Sequence, residues 1–303
     1  MKVLLTGAFK YTEEQLKYIE NLGYEIVFVQ DEREKLDIDV SDIEVVVCNG
    51  LFLYNDISKF KKLKMIQLTS VGMDRVPIDY INKNNIKIYN AKGVYSVPMA
   101  EWVILKILEI YKKSKEFFLQ QENHLWNKHR DLLELTNKKA TIVGYGSVGK
   151  EVAKRLKAFD VYINAIDKKY ITDIYIDESF ILQDLNKVIS DTDIIILTLP
   201  LTAESKNLFN MNTLELIKDK SVLINVSRGQ IINEDDLIKL LEKDKFLGVS
   251  LDVFKSEPLD NNSKLWDFKN TIITPHNSFV SDEVQVRLFD LIVNNLKMIK
   301  LDK

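Results

Sequence analysis

The sequence predicts an α/β protein built from two doubly wound parallel sheets. Three observations carry this reading. Short apolar runs alternate along the 303-residue chain with longer amphipathic segments, the βαβ rhythm of a parallel sheet. That rhythm occurs twice, on either side of a long helical stretch that begins near Pro98. A glycine cluster, Gly144-Tyr145-Gly146-Ser147-Val148-Gly149, stands where the second series passes from its first strand to its first helix. A chain of this length favours two domains over one.

In the first series, residues 3–5, 26–29, 45–48, 65–68 and 86–89 read as strands. Between the first two lies TEEQLKYIENLG, with helical spacing and a natural stop at Gly23. The basic stretch Lys59 to Lys64 alternates with apolar residues and reads as the solvated face of a short helix. Pro98 opens a long helix, since proline suits the first helical position. Met99, Val103, Ile104, Ile107, Leu108 and Tyr111 then recur at helical spacing. The stretch that follows is polar with scattered aromatics, among them Phe117, Phe118 and Trp126. It reads either as a helix packed on its own domain or as a surface covered by another chain.

The second series supplies the strands ATIVGYG, VYINAID, DIIILTLP, SVLINVS, GVSLDVF and NTIITPH. Its helices include SVGKEVAKRLKAF and NEDDLIKLLEKDK. In the latter, Asn233 is an N-cap, and Glu234, Asp235 and Asp236 sit where the helix dipole favours acids. A last helix starts at about Ser281.

Bulk properties narrow the function classes. The formal charge of −3 is spread evenly, so nothing argues for a nucleic-acid partner. Cys48 is the one cysteine; it allows neither an internal disulfide nor a thiolate metal site, and its strand-like neighbours make it a buried structural thiol. No metal is expected, because His124 and His129 lack the spacing and the carboxylates of a metal site. The opening MKVLLTGA reads as a first strand rather than a signal peptide. No apolar run reaches the length of a membrane-spanning helix. A cytoplasmic enzyme is the expectation.

The glycine cluster has the context of a dinucleotide fingerprint. Gly144 allows the tight turn, Gly146 lets the backbone approach a pyrophosphate, and Gly149 lets helix and strand pack closely. The helix start favours phosphates. Asp167 ends the next strand, where a carboxylate accepts from ribose hydroxyls and repels a 2′-phosphate. NAD is therefore expected over NADP, with Lys168 and Lys169 beside the acid tempering that preference. Further along stand an arginine, a glutamate and a histidine. Arg228 is suited to grip a carboxylate through two parallel hydrogen bonds. His276 is suited to give or take a proton near neutral pH. Glu257 beside it would hold its tautomer and favour its charged form. Residue type alone makes these three candidates; each also has a bland reading as a strand-end or turn residue.

Taken together, LTSVGMD (68–74), GVYSVPMAEW (93–102), GYGSVG (144–149), LTLPLT (197–202), INVSRGQIINEDDL (224–237), SLDVFKSEPL (250–259) and ITPHNS (273–278) resemble the D-isomer-specific 2-hydroxyacid dehydrogenase family over nearly the whole chain. The resemblance implies a flavodoxin-like substrate domain over residues 1–97 and 281–303. It implies a Rossmann NAD-binding domain over 98–280, with an arm at about 99–135 that embraces a second copy in a homodimer. It gives Arg228, Glu257 and His276 catalytic roles in moving a hydride between NAD(H) and a small 2-keto or 2-hydroxy acid of the D series. Arg228 and His276 would also bind substrate, together with the loop Ser70-Val71-Gly72. Thr198-Leu199-Pro200 would border the adenine and ribose, and Asp252 would lie near the nicotinamide amide.

Two departures bear on substrate. Relatives that handle phosphorylated substrates place a cation after the strand that ends here in Cys48-Asn49-Gly50, and this chain has none there. Phe279 puts a bulky ring where relatives carry small residues. An alternative reading is an NAD(H)-sensing protein similar to the C-terminal-binding-protein corepressors, which the absence of basic patches disfavours. A formate dehydrogenase of the same fold is disfavoured because that branch carries Gln in place of Glu257.

Overall fold

The computed structural model describes residues 1–301. The chain forms two compact units, Met1–Tyr95 with the chain from Ser281 onward, and Ser96–Val280.

The first unit is a five-stranded, all-parallel sheet of β1 (Lys2–Thr6), β2 (Glu25–Val29), β3 (Val45–Cys48), β4 (Met65–Leu68) and β5 (Lys87–Tyr89) in the order β2-β1-β3-β4-β5. This is the flavodoxin-like doubly wound order. Every residue of β3 and β4 is buried, as expected of strands covered on both faces. Alternate side chains feed two cores. Val3, Leu5, Val45, Val47 and Met65 meet α1 (Glu13–Asn21) and α9 (Val284–Leu301). Leu4, Val46, Cys48, Ile66 and Leu68 meet α2 (Ile78–Lys83) and the loop residues Phe60 and Leu63. Helix α1 starts on a Thr12–Gln15 capping box, which satisfies two orphan donors, and ends at Gly23 with φ +81°. The returning helix α9 is fixed from inside by Asn295, whose amide donates to the buried Gln67 Oε1 of β4.

The second unit begins with α3 (Ser96–Tyr111) and α4 (Ser114–Glu122). Its seven-stranded parallel sheet comprises β6 (Lys139–Val143), β7 (Tyr162–Asp167), β8 (Glu178–Ile181), β9 (Ile194–Leu197), β10 (Val222–Asn225), β11 (Gly248–Leu251) and β12 (Thr271–Ile273). The order is β12-β11-β10-β9-β6-β7-β8, the dinucleotide-binding order with a seventh strand added. Helices α3 and α5 (Ser147–Lys157) cover one face. Helices α6 (Leu185–Ile189), α7 (Met211–Leu216) and α8 (Glu234–Glu242) cover the other. The fold class read from the sequence is borne out.

Several element readings need correction. Helix α3 starts at Ser96, so Pro98 stands inside the first turn, where its missing N–H is still harmless. The helical stretch breaks at Lys113, whose φ of +52° ends one helix before α4 begins. Lys59–Lys64 is no helix; a short 3-10 turn, Ile57–Lys59, gives way to a loop that buries Phe60 and Leu63. The sequence reading also missed β8, α6 and α7. Among the described residues no helix is long and apolar enough to cross a membrane.

Candidate functional site

In open α/β sheets ligands bind beyond the carboxyl ends of the strands, at the point where strand order reverses. In the seven-stranded sheet that point lies between β6 and β9. The loop after β6 carries the glycines. Gly144 has φ +94°, and a Cβ there would come within 2.5 Å of the Leu199 backbone. The turn is thus packed against Thr198-Leu199-Pro200, and the Thr198 hydroxyl donates to the Gly144 carbonyl at 2.5 Å. Gly149 is likewise closed in: a Cβ there would fall 2.6 Å from the Gly144 oxygen. Gly146 differs: nothing lies within 4 Å of where its Cβ would stand. It precedes α5, whose first-turn N–H groups have no side-chain cap. An open backbone cradle at the positive end of an 11-residue helix fits a pyrophosphate.

Asp167 closes β7 beside this loop. Its Oδ2 accepts the Tyr145 N–H at 2.7 Å and its Oδ1 accepts the Lys168 N–H at 2.7 Å. Each oxygen keeps a lone pair for a ribose hydroxyl. The exposed Lys168 ammonium pairs with Glu204 at 3.2 Å. The residues present therefore fit a dinucleotide.

The loops after β10, β11 and β12 are neighbours at the carboxyl edge of the same sheet. They bring Arg228, Glu257 and His276 forward from three consecutive strands. Asn225, the last residue of β10, holds the first loop. Its Oδ1 accepts the Ser227 N–H and hydroxyl, and its Nδ2 donates to the Arg228 carbonyl at 3.1 Å. The Arg228 guanidinium donates to the Ser227 carbonyl at 2.8 Å. Gly229 then lies so close to the next loop that a Cβ would fall 1.9 Å from the Phe254 carbonyl carbon. The Phe254 N–H in turn donates to Glu257 Oε1 at 3.1 Å.

The second oxygen of Glu257, Oε2, meets His276 Nδ1 at 2.8 Å. The pair is partly open, with about a third of each side chain exposed. His276 Nε2 makes no hydrogen bond among the described residues. The backbone of His276 has φ +50°, a left-handed conformation that costs a non-glycine residue about 1–3 kcal/mol. Asp252, only 1% exposed, holds it there. Its backbone carbonyl accepts the His276 N–H at 2.8 Å. Its carboxylate accepts the Thr274 hydroxyl at 2.6 Å and the Asn277 and Ser278 N–H groups at 2.9 and 3.0 Å. The Phe279 ring stands edge-on to the His276 ring, with centroids 5.9 Å apart.

In the five-stranded unit, Ser70-Val71-Gly72 follows β4. The carbonyls around it are claimed: Asn90 donates to the Val71 oxygen, Ala91 to the Ser70 oxygen and Tyr95 to the Thr69 oxygen. The Val71 and Gly72 N–H groups donate to no protein acceptor among the described residues. The turn after β3 is set by the buried Glu32, which accepts from the Thr6 hydroxyl and from the Asn49 and Gly50 N–H groups. That turn has no cation of its own, but the stem of Arg75 lies 3.9 Å from where a Gly50 Cβ would stand. Cys48 is fully buried, and burial pushes its thiol well up.

Sequence reasoning missed the holding roles of Asn225, Asp252 and Glu32. The only local signal was a polar residue at the end of a strand or just beyond it. Glu32 and Asp252 reach partners distant in sequence, which no spacing announces, while Asn225 holds its own near neighbours in a local turn.

A family model described as the NAD-binding domain of the D-isomer-specific 2-hydroxyacid dehydrogenases matches residues 104–278. A glyoxylate reductase of Thermofilum pendens is 30% identical over 87% of this chain and 80% of its own length. A D-3-phosphoglycerate dehydrogenase of Methanocaldococcus jannaschii is 28% identical over 99% of this chain, which spans 57% of that relative. The crystal structure of a D-isomer-specific 2-hydroxyacid dehydrogenase family protein from Aeromonas salmonicida is similar, with a TM-score of 0.83, 26% identity and coverage of 100% and 96% of the two chains.

Proposed function

The chain belongs to the D-isomer-specific 2-hydroxyacid dehydrogenase family, and from that premise we propose that it interconverts a small 2-keto acid and the D-2-hydroxy acid with NAD(H). The observation that carries the proposal is the Glu257–His276 pair at 2.8 Å, set beside Arg228 on adjacent strand ends of a dinucleotide-binding sheet.

Gly144–Gly149, Asp167 and Thr198–Pro200 would hold the cofactor. Bound NAD(H) supplies or takes up the hydride at the substrate's C2. The chain's own side chains supply the rest. Arg228 grips the carboxylate and the C2 oxygen, drawing off charge as it develops. Glu257 accepts from His276 Nδ1–H, which fixes the ring and leaves Nε2 to face the substrate. In reduction His276 gives its Nε2 proton to the forming alkoxide; in oxidation it takes that proton back. Glu257 stabilises the imidazolium that holds the proton. The Val71 and Gly72 N–H groups are suited to a substrate carboxylate. Asp167 supports a preference for NAD(H), because its charge repels a 2′-phosphate.

A homodimer belongs to the same proposal. Phe118, Leu119, Leu125 and Trp126 are large apolar side chains left exposed within one short stretch of chain, Trp126 to 92%, which supports a surface covered by a second copy. Sedimentation at micromolar concentration is expected to give a dimer; a monomer would remove this part. A cytoplasmic location completes the reading, in keeping with a single buried thiol.

The test is NADH oxidation by purified protein against glyoxylate, hydroxypyruvate, pyruvate, 3-phosphohydroxypyruvate, and branched and aromatic 2-keto acids. Turnover of at least one is expected. Tight cofactor binding with no turnover across the panel would instead support a sensor of NAD(H).

A further inference from the structure

The segment that leaves β7 runs along the glycine loop, and neither the glycine pattern nor the family likeness gives it a role. Its centre is Asp173. One carboxylate oxygen receives the Lys150 ammonium from the first turn of α5 at 2.7 Å. The other accepts the Tyr175 N–H at 3.1 Å and so shapes its own turn. The Asp173 side chain is only 11% exposed. Beside it lies the ring of Tyr145, the residue between the first two glycines. Tyr145 is 8% exposed and belongs to the apolar cluster against which Ile171, Tyr175 and Ile176 of the same segment pack. The buried Tyr145 hydroxyl faces the Asp173 carboxylate. The Lys150 ammonium also lies 5.9 Å from the Tyr175 ring centroid.

We infer that Asp173 is a positioning residue for dinucleotide binding: one buried carboxylate ties the segment after β7 to the first turn of α5 and packs that segment over the glycine loop. The inference rests on reading that loop as the pyrophosphate site. Burial works against an ionised Asp173, but the hydrogen bonds from Lys150 and the Tyr175 N–H outweigh it and hold the carboxyl below its usual range. Asp173 is therefore an anion at neutral pH. Burial, and then the Asp173 charge, push the Tyr145 hydroxyl up, so it stays neutral. An ion pair on an open surface is worth little. Here the Asp173 end is enclosed while the Lys150 side chain stays about half exposed, and the pair ties the segment after β7 to the helix whose first-turn N–H groups must hold still for a phosphate. A loop ordered beforehand loses less freedom when its ligand binds. The brace also keeps the Lys150 cation in one place at the mouth of the helix.

The experiment compares wild type with Asp173→Asn. Asparagine keeps an acceptor for the Tyr175 N–H and loses the charge that holds Lys150. A second variant, Asp173→Ser, keeps the turn through its hydroxyl and cannot reach Lys150. NADH dissociation constants are measured by fluorescence titration, alongside kcat at saturating NADH and the melting temperature without ligand. We expect the dissociation constant to rise about tenfold in both variants, equivalent to about 1.4 kcal/mol. The kcat and melting temperature should stay close to wild type. An unchanged or tighter dissociation constant would overturn the inference. So would a weakening matched by a large loss of melting temperature, which is what a purely structural role gives. If wild type itself fails to bind NADH, the dinucleotide reading falls, and this inference falls with it.

Discussion

At the residue scale the proposed chemistry rests on one histidine and the groups that hold it. His276 keeps a left-handed backbone because Asp252 accepts its N–H and, through the carboxylate, the donors on either side. Its ring is aimed by Glu257 Oε2, while the other oxygen of Glu257, Oε1, accepts the Phe254 N–H. Replacing Glu257 by Gln keeps the shape and removes the charge. Turnover is expected to fall on the order of 10²-fold or more, as for other carboxylates that orient and balance a catalytic imidazole. NADH affinity should stay within a factor of about two, because Glu257 sits apart from the glycine loop in the sheet order; a matching loss of NADH binding would show that Glu257 acts on the cofactor side instead. Arg228, Glu257 and His276 were legible in the sequence, since each sits in a long recognisable segment at a strand end. The Asp252 clamp was not. It is made of hydrogen bonds to residues 274, 277 and 278, and a sequence of strand, acid and loop looks the same whether or not they form.

At the scale of elements, the glycines divide into those that build the turn and one that leaves room. A methyl group on Gly144 would strike the Leu199 backbone at 2.5 Å, whereas one on Gly146 would meet open space. Gly144→Ala is therefore expected to lower stability by several kcal/mol, through overpacking against backbone at a positive φ. Gly146→Ala should leave the ligand-free melting temperature nearly unchanged and weaken NADH binding about tenfold or more, because its methyl group would occupy the proposed phosphate cradle. Thermal unfolding and NADH titration of both variants check this; equal stability losses would mean that the loop is packed alike at both positions. The strand–turn–helix junction was legible because the glycines punctuate it. Strand β8 was not, for a physical reason. It is an edge strand that pairs only with β7 and buries none of its residues fully, so Glu178 and Ser179 read as loop. Helices α6 and α7 are short, and a helix of little more than one turn carries too few apolar positions to show a period.

At the scale of the molecule, both sheets follow from continuous apolar strands that can only be covered on two faces, and that much the sequence announced. What it could not announce is how the strand ends are tied. Asp193, just before β9, accepts the Lys139 N–H of β6 at 2.9 Å and the Lys218 ammonium at 2.7 Å. Burial pushes its carboxyl up, but these bonds win and hold it below the ordinary range. A carboxyl held down in this way contributes stability that is fully present above its unfolded value of about 3.9 and is lost as pH falls through the lower folded value. Asp193→Asn is expected to cost about 1–3 kcal/mol at pH 7, and the gap from wild type should shrink below about pH 4. Melting curves of both proteins across that range check it; a gap that is the same at pH 3 and pH 7 would mean that the charge does not matter.

The central claim is that His276, held by Glu257, moves the proton in a reaction whose cofactor and substrate are gripped by other residues. The measurement that tests it most directly is turnover of the best 2-keto acid by His276→Ala, with the NADH dissociation constant taken on the same preparation. The expected result is a loss of roughly 10²–10⁴ in kcat, the usual worth of a positioned acid–base group, with NADH affinity within about a factor of two of wild type. A kcat that stays within tenfold of wild type at intact NADH affinity would contradict the account.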